Sequence, residues 1–333
     1  MKAARLLAVG SPQNLHIEET AIPAVRENEV LVRVKAAALN HRDVYITQGL
    51  YPNIHVPVTL GSDGAGEIAA LGAVFGDLAV GDTIVIDPML GWGDDPHVWD
   101  VEHSKLLGMP SDGTWAQYVA VPAANVYPKP PKLSMEEAAA IPLAGLTAYR
   151  AVFTRGALKR GETVLIPGIG GGVQTFALLF AKYAGARVVV TSSSDEKLER
   201  AKEIGADLAI NYVSMPQWAK ELRKAAPFDL VVDSSGGDTL RAAIDLIRPG
   251  GRIVLYGGTR GEATIKLFPL FWKHVTVMGT SMGSPRDFAA MLELFNDGLR
   301  PVIDRVFALD EVAAAAERLD EGRQFGKIVL KID

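Results

Sequence analysis

Directly after the apolar run Thr163 to Pro167 the chain reads Gly168-Ile169-Gly170-Gly171-Gly172-Val173, and apolar side chains then recur at Phe176, Ala177, Phe180, Ala181 and Ala184. The first run has the length of a strand and the second has helical spacing, so the glycines turn a strand into a helix. Glycine there lets backbone N–H groups approach a pyrophosphate, which the N-terminus of the helix attracts. A purely structural tight turn would use glycine in the same way, but strand before and helix after favour a dinucleotide.

The same alternation continues beyond the turn. Short apolar strands are expected at Arg187 to Thr191, Leu208 to Asn211, Leu230 to Asp233 and Arg252 to Tyr256, and Leu198, Ala201 and Ile204 keep helical spacing between two of them. Strand alternating with helix gives an α/β doubly wound parallel sheet of Rossmann type. Before residue 124 the texture differs. Short apolar runs such as Val30 to Val34 and Thr83 to Ile86 are broken by Gly, Pro, Asn and Asp, which predicts a mostly β domain. After Gly257-Gly258 a strand is expected at Val275 to Gly279, amphipathic helices at Arg286 to Asn296 and Glu311 to Leu319, and a closing strand at Lys327 to Ile332. The closing strand is a candidate to rejoin the first domain.

Which nicotinamide cofactor the turn serves is decided at the end of the second strand. An acidic residue about 20 positions past the turn would bind the ribose hydroxyls and repel a 2′-phosphate. That place is held by Thr191-Ser192-Ser193-Ser194, with Lys197 about one helical turn on. Hydroxyls and a cation suit NADP better than NAD. Ser194 or Asp195 also suits the N-cap of the next helix, and both roles are compatible.

Set side by side, several further motifs carry a family resemblance. They are Asn40-His41-Arg42-Asp43-Val44-Tyr45 with Gly49-Leu50-Tyr51-Pro52, Leu60-Gly61-Ser62-Asp63-Gly64-Ala65-Gly66, Ala138 to Pro142 with Leu146-Thr147-Ala148-Tyr149, and Gln324-Phe325-Gly326-Lys327. With the glycine turn they make the chain resemble, over essentially its full length, the medium-chain dehydrogenase/reductase superfamily and its zinc-independent quinone oxidoreductase-like branch. The resemblance implies a GroES-like β domain built from both chain ends, over 1–123 and 269–333, a Rossmann dinucleotide-binding domain over 124–268 inserted into it, and a catalytic cleft at their junction. It places Asn40, Asp43, Tyr45 and Tyr51 around the nicotinamide and substrate. It places His41, Thr147, Gly168, Gly170, Gly171, Gly172, Val173, Ser192, Ser193, Lys197, Tyr212, Gly257 and Lys327 around the cofactor, with Lys327 near the pyrophosphate. Each has a plainer reading: Asp43 as an orienting group, Tyr45 as a packed aromatic, His41 and Lys327 as surface residues. One position departs from the family, because Gln174 stands where a further glycine is usual.

Zinc-dependent members hold their catalytic metal with Cys, His and Cys, and the corresponding positions here are Asn40, Ser62 and Leu143. The chain has no cysteine at all, so thiolate ligands are excluded at this and at the structural site. In place of the structural zinc lobe lie Asp94, Asp95, His97, Asp100, Glu102 and His103, which offer nitrogen and oxygen donors without a recurrent zinc spacing. A solvated acidic loop is the plainer reading, and no metal is assigned. An enzyme lacking a Lewis acid suits an electron-poor acceptor, so an NADPH-dependent reductase of quinones or α,β-unsaturated carbonyls is expected. The alternatives are an alcohol dehydrogenase-like carbonyl reductase and a non-catalytic NADPH sensor. With 34 basic against 39 acidic residues and a net charge of −5, nucleic acid is not the expected partner. No apolar run reaches the length of a membrane span, and the start of the chain lacks the pattern of a secretory signal. A cytoplasmic homodimer acting on a small electrophile is expected, its partner pairing with the edge strand at Val275 to Gly279.

Overall fold

The longest strand of the first domain, Glu29–Ala38, organises everything around it. Along one edge it pairs antiparallel with Asp63–Leu71. Its first half also pairs with Tyr118–Pro122, and its last three residues with Lys327–Lys331, so the C-terminal strand closes onto the N-terminal domain. The computed structural model describes residues 1–73, 75–225 and 227–333. Further strands, Thr83–Ile86, Val126–Pro128 and Ile303–Ala308, complete a seven-stranded sheet, and Lys2–Leu6 joins Leu15–Glu19 and Val58–Thr59 in a smaller one. Val32, Val34, Ile68, Ile84, Ile86, Trp115, Ile328 and Leu330 fill the core between them.

Two units result, Met1–Ala144 with Gly283–Asp333 and Gly145–Met282. Both boundaries lie later in the chain than the 123/124 and 268/269 divisions read from the sequence. The Met135–Ala140 helix packs on Glu29–Ala38, Asp63–Leu71 and Lys327–Lys331, which ties it to the first unit. Thr276–Gly279 pairs with Ile247–Leu255, which ties it to the second.

In the second unit six strands are all parallel, in the spatial order Leu208–Asn211, Arg187–Ser192, Thr163–Ile166, Phe228–Asp233, Ile247–Leu255, Thr276–Gly279. The first strand therefore sits in the middle and the order reverses beside it, which is the switch point where open α/β sheets bind ligands. Leu165, Val189, Val231 and Ile253 pack with Leu222 and Ile244 in one core cluster. Val164, Ile166, Val188 and Val190 are buried as well, so both faces of the sheet are covered. Among the described residues no helix is long and apolar enough to cross a membrane.

Candidate active site

The glycine turn lies where the sequence places it, between Thr163–Ile166 and a helix over Gly172–Tyr183 with Gly171 as N-cap. Gly168 has φ +70° and Gly170 φ +145°, backbone that side chains rarely adopt. Two bonds pin the turn to the end of the second strand: Gly168 N–H donates to Thr191 Oγ1 at 3.3 Å and Ile169 N–H to Thr191 O at 2.8 Å. A Cβ built on Gly170 would lie 3.2 Å from Lys197 Nζ, so the ammonium lies against the turn. Gln174 does not disturb it. The helix still starts at Gly172, and the Gln174 amide donates to Ser234 Oγ at 2.9 Å, linking the helix to the end of the fourth strand. Open backbone and a helix N-terminus fit a dinucleotide pyrophosphate.

Ser192 is the buried last residue of its strand, Ser193 is exposed, and Ser194 caps the next helix by accepting from Lys197 N–H. The capping reading of Ser194 holds, and the cap leaves Ser193 exposed beside it. Tyr212 N–H donates to Ser192 O at 3.1 Å, and its ring lies beneath the Arg260 guanidinium, 5.6 Å from centroid to Cζ. Arg260 was not singled out from the sequence, although it follows Gly257-Gly258 in the loop after the fifth strand. A Cβ on Gly257 would come within 2.8 Å of Ser234 O, so this loop passes close to the one after the fourth strand. Thr147 is buried on the Pro142–Tyr149 helix.

In the first unit three strand ends converge: the end of Glu29–Ala38, the start of Asp63–Leu71 and the start of Lys327–Lys331. They bring together Asn40, Asp63 and Lys327, all buried. Lys327 Nζ donates to Asn40 Oδ1 at 2.7 Å, to Asp63 Oδ2 at 2.9 Å and to Leu39 O at 2.7 Å. Asn40 Nδ2 donates to Asp63 Oδ2 at 2.9 Å, and the other Asp63 oxygen accepts from Leu143 N–H at 2.8 Å. An ammonium has three donors and all three are used, so Lys327 is a member of this buried cluster and not a pyrophosphate ligand as expected. Asp63 was not singled out from the sequence either, although it lies inside the Leu60 to Gly66 motif.

Asn40 also begins the helix His41–Thr47, where its N–H donates to Asp43 Oδ2 at 2.8 Å. Burial pushes the Asp43 carboxyl up to about 6, against the pull of Arg42 and of the Asn40 N–H. Its bond to Asn40 fits the orienting role. His41 is exposed, its ring 6.4 Å from that of half-buried Tyr45. Tyr51 lies over the guanidinium of Arg42, at 5.0 Å. Arg42 Nη1 in turn donates to Ser62 Oγ at 2.7 Å and to Leu107 O at 3.0 Å.

The three positions that correspond to zinc ligands are therefore all engaged by protein groups. Asn40 is bonded to Lys327 and Asp63, Ser62 to Arg42, and Leu143 offers only its backbone, whose N–H is held by Asp63. One amide, one hydroxyl and two adjacent buried cations do not fit a divalent metal. In the 94–103 loop the carboxylates serve the backbone instead: Asp100 accepts from the N–H groups of Glu102 and His103 and pairs with the His103 ring, and Asp95 accepts from His97 N–H. Among the described residues no group of three or more His, Asp or Glu side chains is placed to hold a metal ion.

Sequence and structure comparisons bear on these sites. Residues 26–131 match the family model of the alcohol dehydrogenase GroES-like domain, and residues 172–297 that of zinc-binding dehydrogenases. A zinc-type alcohol dehydrogenase-like protein, YogA, of Leptosphaeria maculans is 35% identical over 96% of this chain and 94% of its own. An acryloyl-coenzyme A reductase of Metallosphaera sedula is 29% identical over 99% of both. Among solved structures, an NAD-dependent alcohol dehydrogenase superposes with a TM-score of 0.94 at 36% identity, covering 100% of both chains.

Proposed function

The chain belongs to the medium-chain dehydrogenase/reductase superfamily, and from that premise we propose that it is a cytoplasmic NADPH-dependent oxidoreductase that reduces quinones or α,β-unsaturated carbonyls without a catalytic zinc. The observation that carries this reading is the engagement of Asn40 and Ser62 by Lys327 and Arg42 at the positions where zinc enzymes hold their metal. Without a Lewis acid an unactivated carbonyl is a poor hydride acceptor, whereas a conjugated one needs less polarisation. A relative named for reducing acryloyl-coenzyme A supports the same substrate chemistry.

Bound, the reduced cofactor supplies the hydride. The backbone of Gly168 to Gly172 and the N-terminus of the following helix hold its pyrophosphate. Lys197 and Arg260, near the end of the second strand and Tyr212, neutralise a 2′-phosphate; Ser192 and Ser193 add hydroxyls. His41 and Thr147 complete the cofactor set. In the first unit, Lys327 can only donate, so it fixes Asn40 Oδ1 as the acceptor end of the amide. One Nδ2 proton goes to Asp63 and the other remains to hydrogen-bond a substrate oxygen. Asp43 holds the Asn40 backbone, and Tyr45 and Tyr51 line the substrate's place.

The names of several relatives favour a second reading, an alcohol dehydrogenase-like carbonyl reductase using NAD. Oxidation of NADPH and of NADH is therefore to be followed against quinones, enones, enals and simple aldehydes, with and without chelator. Turnover of conjugated acceptors with NADPH, unaffected by chelation, is the expected result; activity confined to simple aldehydes and lost on chelation overturns it. Lys197→Ala should weaken NADPH binding about 10-fold in a fluorescence titration, one lost charge-assisted contact, and leave NADH binding unchanged. Equal effects on both cofactors would remove the case for NADP.

A further inference from the structure

Arg42 is the second residue of the His41–Thr47 helix, yet its side chain is only 8% exposed. One of its nitrogens, Nη1, is fully employed between Ser62 Oγ and Leu107 O. Ser62 is itself completely buried, and its hydroxyl proton goes to Leu107 O at 2.7 Å. The other two nitrogens, Nε and Nη2, are buried and have no hydrogen-bond partner. Tyr51 covers the face of the guanidinium, and Asp43 Oδ1, also without a hydrogen bond, lies 3.8 Å from Nη1. Arginine keeps its charge at any physiological pH, so the unmatched groups cannot be relieved by deprotonation.

Nε–H and one Nη2–H point the same way and form the two-pronged edge with which arginine grips an oxygen. Native proteins rarely leave such an edge buried without an acceptor. Ser62, which anchors the opposite side of this guanidinium, stands where the histidine ligand of zinc-dependent relatives would be.

We propose that Arg42 is the electrophile of this enzyme, its Nε–Nη2 edge taking the carbonyl oxygen of an α,β-unsaturated ketone or aldehyde in place of a Lewis acid. The proposal rests on the reading given under Proposed function. Hydride from the reduced nicotinamide adds with its electron pair to the β-carbon, and the displaced π electrons pass through the conjugated system to the carbonyl oxygen. The enolate oxygen so formed accepts both Arg42 N–H groups; a proton from water then reaches the α-carbon, and the nicotinamide is left oxidised. Arg42 enters and leaves the step as a cation. Fixed donors aimed at an oxygen that gains charge act mainly on the transition state, so the effect belongs in kcat.

Arg42→Lys keeps the charge and a donor for Ser62 while removing the fork. With it, kcat on an aryl enone such as benzylideneacetone should fall about 100-fold, the cost typical of one lost oxyanion donor, with KM changed little. NADPH affinity and thermal midpoint should stay near wild type, and millimolar guanidinium chloride, but not sodium chloride, should restore activity to Arg42→Ala. A second readout needs no turnover: in the complex with oxidised NADP and benzylideneacetone, the carbonyl stretch should move to lower frequency in the wild type and back in Arg42→Lys. Wild-type kcat in Arg42→Lys with an unchanged carbonyl stretch would overturn the proposal, leaving Arg42 as a strut over a buried water. Failure of the parent reading looks different, because the wild type would then reduce no conjugated acceptor with NADPH while the stretch still reports on Arg42.

Discussion

Replacing Asp87 by asparagine should stabilise the protein progressively as pH rises. Asp87 is 1% exposed at the end of Thr83–Ile86; its Oδ1 accepts from Met89 N–H at 3.0 Å, while Oδ2 is buried without a partner. Burial pushes this carboxyl from 3.8 up to about 7, and the bond from Met89 only partly opposes it. Between those values the folded protein keeps a proton that the unfolded chain has lost. The contribution of this group to stability is therefore fully present at low pH and lost as pH climbs to about 7, with no further change above. At 1.36 kcal/mol per unit, the shift of 7 − 3.8 corresponds to about 4 kcal/mol, of which about 3 falls between pH 5 and pH 8. The amide introduced by Asp87→Asn retains an oxygen for the Met89 N–H and does not titrate. Urea unfolding of wild type and Asp87→Asn, followed by tryptophan fluorescence at fixed ionic strength, cancels every titration the two share. The variant's advantage should widen by about 3 kcal/mol from pH 5 to pH 8. A gap that stays level or narrows over that range would refute the reasoning.

Removal of the cation from the Asn40–Asp63–Lys327 cluster should be costly, because Asp63 would keep a buried charge. Lys327→Met is expected to lose about 3–5 kcal/mol in urea unfolding, and adding Asp63→Asn should return part of it; strict additivity of the two would sink the idea. A homodimer is expected from the second unit. Leu267, Phe268, Phe271 and Trp272 are each more than 60% exposed on the helix that precedes the Thr276–Gly279 edge strand, an apolar surface that a second copy can cover while pairing that edge. Trp272→Glu with Val277→Lys should halve the mass seen by light scattering, and a monomeric wild type would dismiss the assignment.

Much of this was legible along the chain because it depends on local order. A strand, a glycine turn and an apolar helical stripe form one short segment, and the Thr191 to Ser194 run follows at a fixed remove, so the position and shape of the glycine turn needed no tertiary information. The strands of the parallel sheet were legible for the same reason, since each is built on a short apolar run between helices, although Ile247–Leu255 starts five residues before the run expected at Arg252 to Tyr256. Arg260 was not, since its place over Tyr212 depends on two loops brought together by sheet order. Lys327 illustrates the reverse error. A lysine near the C-terminus looks exposed or ready for a phosphate, and only the pairing of Lys327–Lys331 with Glu29–Ala38 sets it beside Asn40 and Asp63.

The sequence by itself determined the two-domain organisation, the parallel α/β sheet and the loss of thiolate metal ligands, because periodicity, motif order and the absence of a residue type are properties of the chain alone. What fills the place of those ligands was decided only by the tertiary structure. Asn40, Ser62, Asp63 and Lys327 come from three strand ends far apart in sequence, and whether a buried cation finds an acceptor depends on where those ends meet. The three spent donors of Lys327 and the two unspent nitrogens of Arg42 are consequences of that meeting.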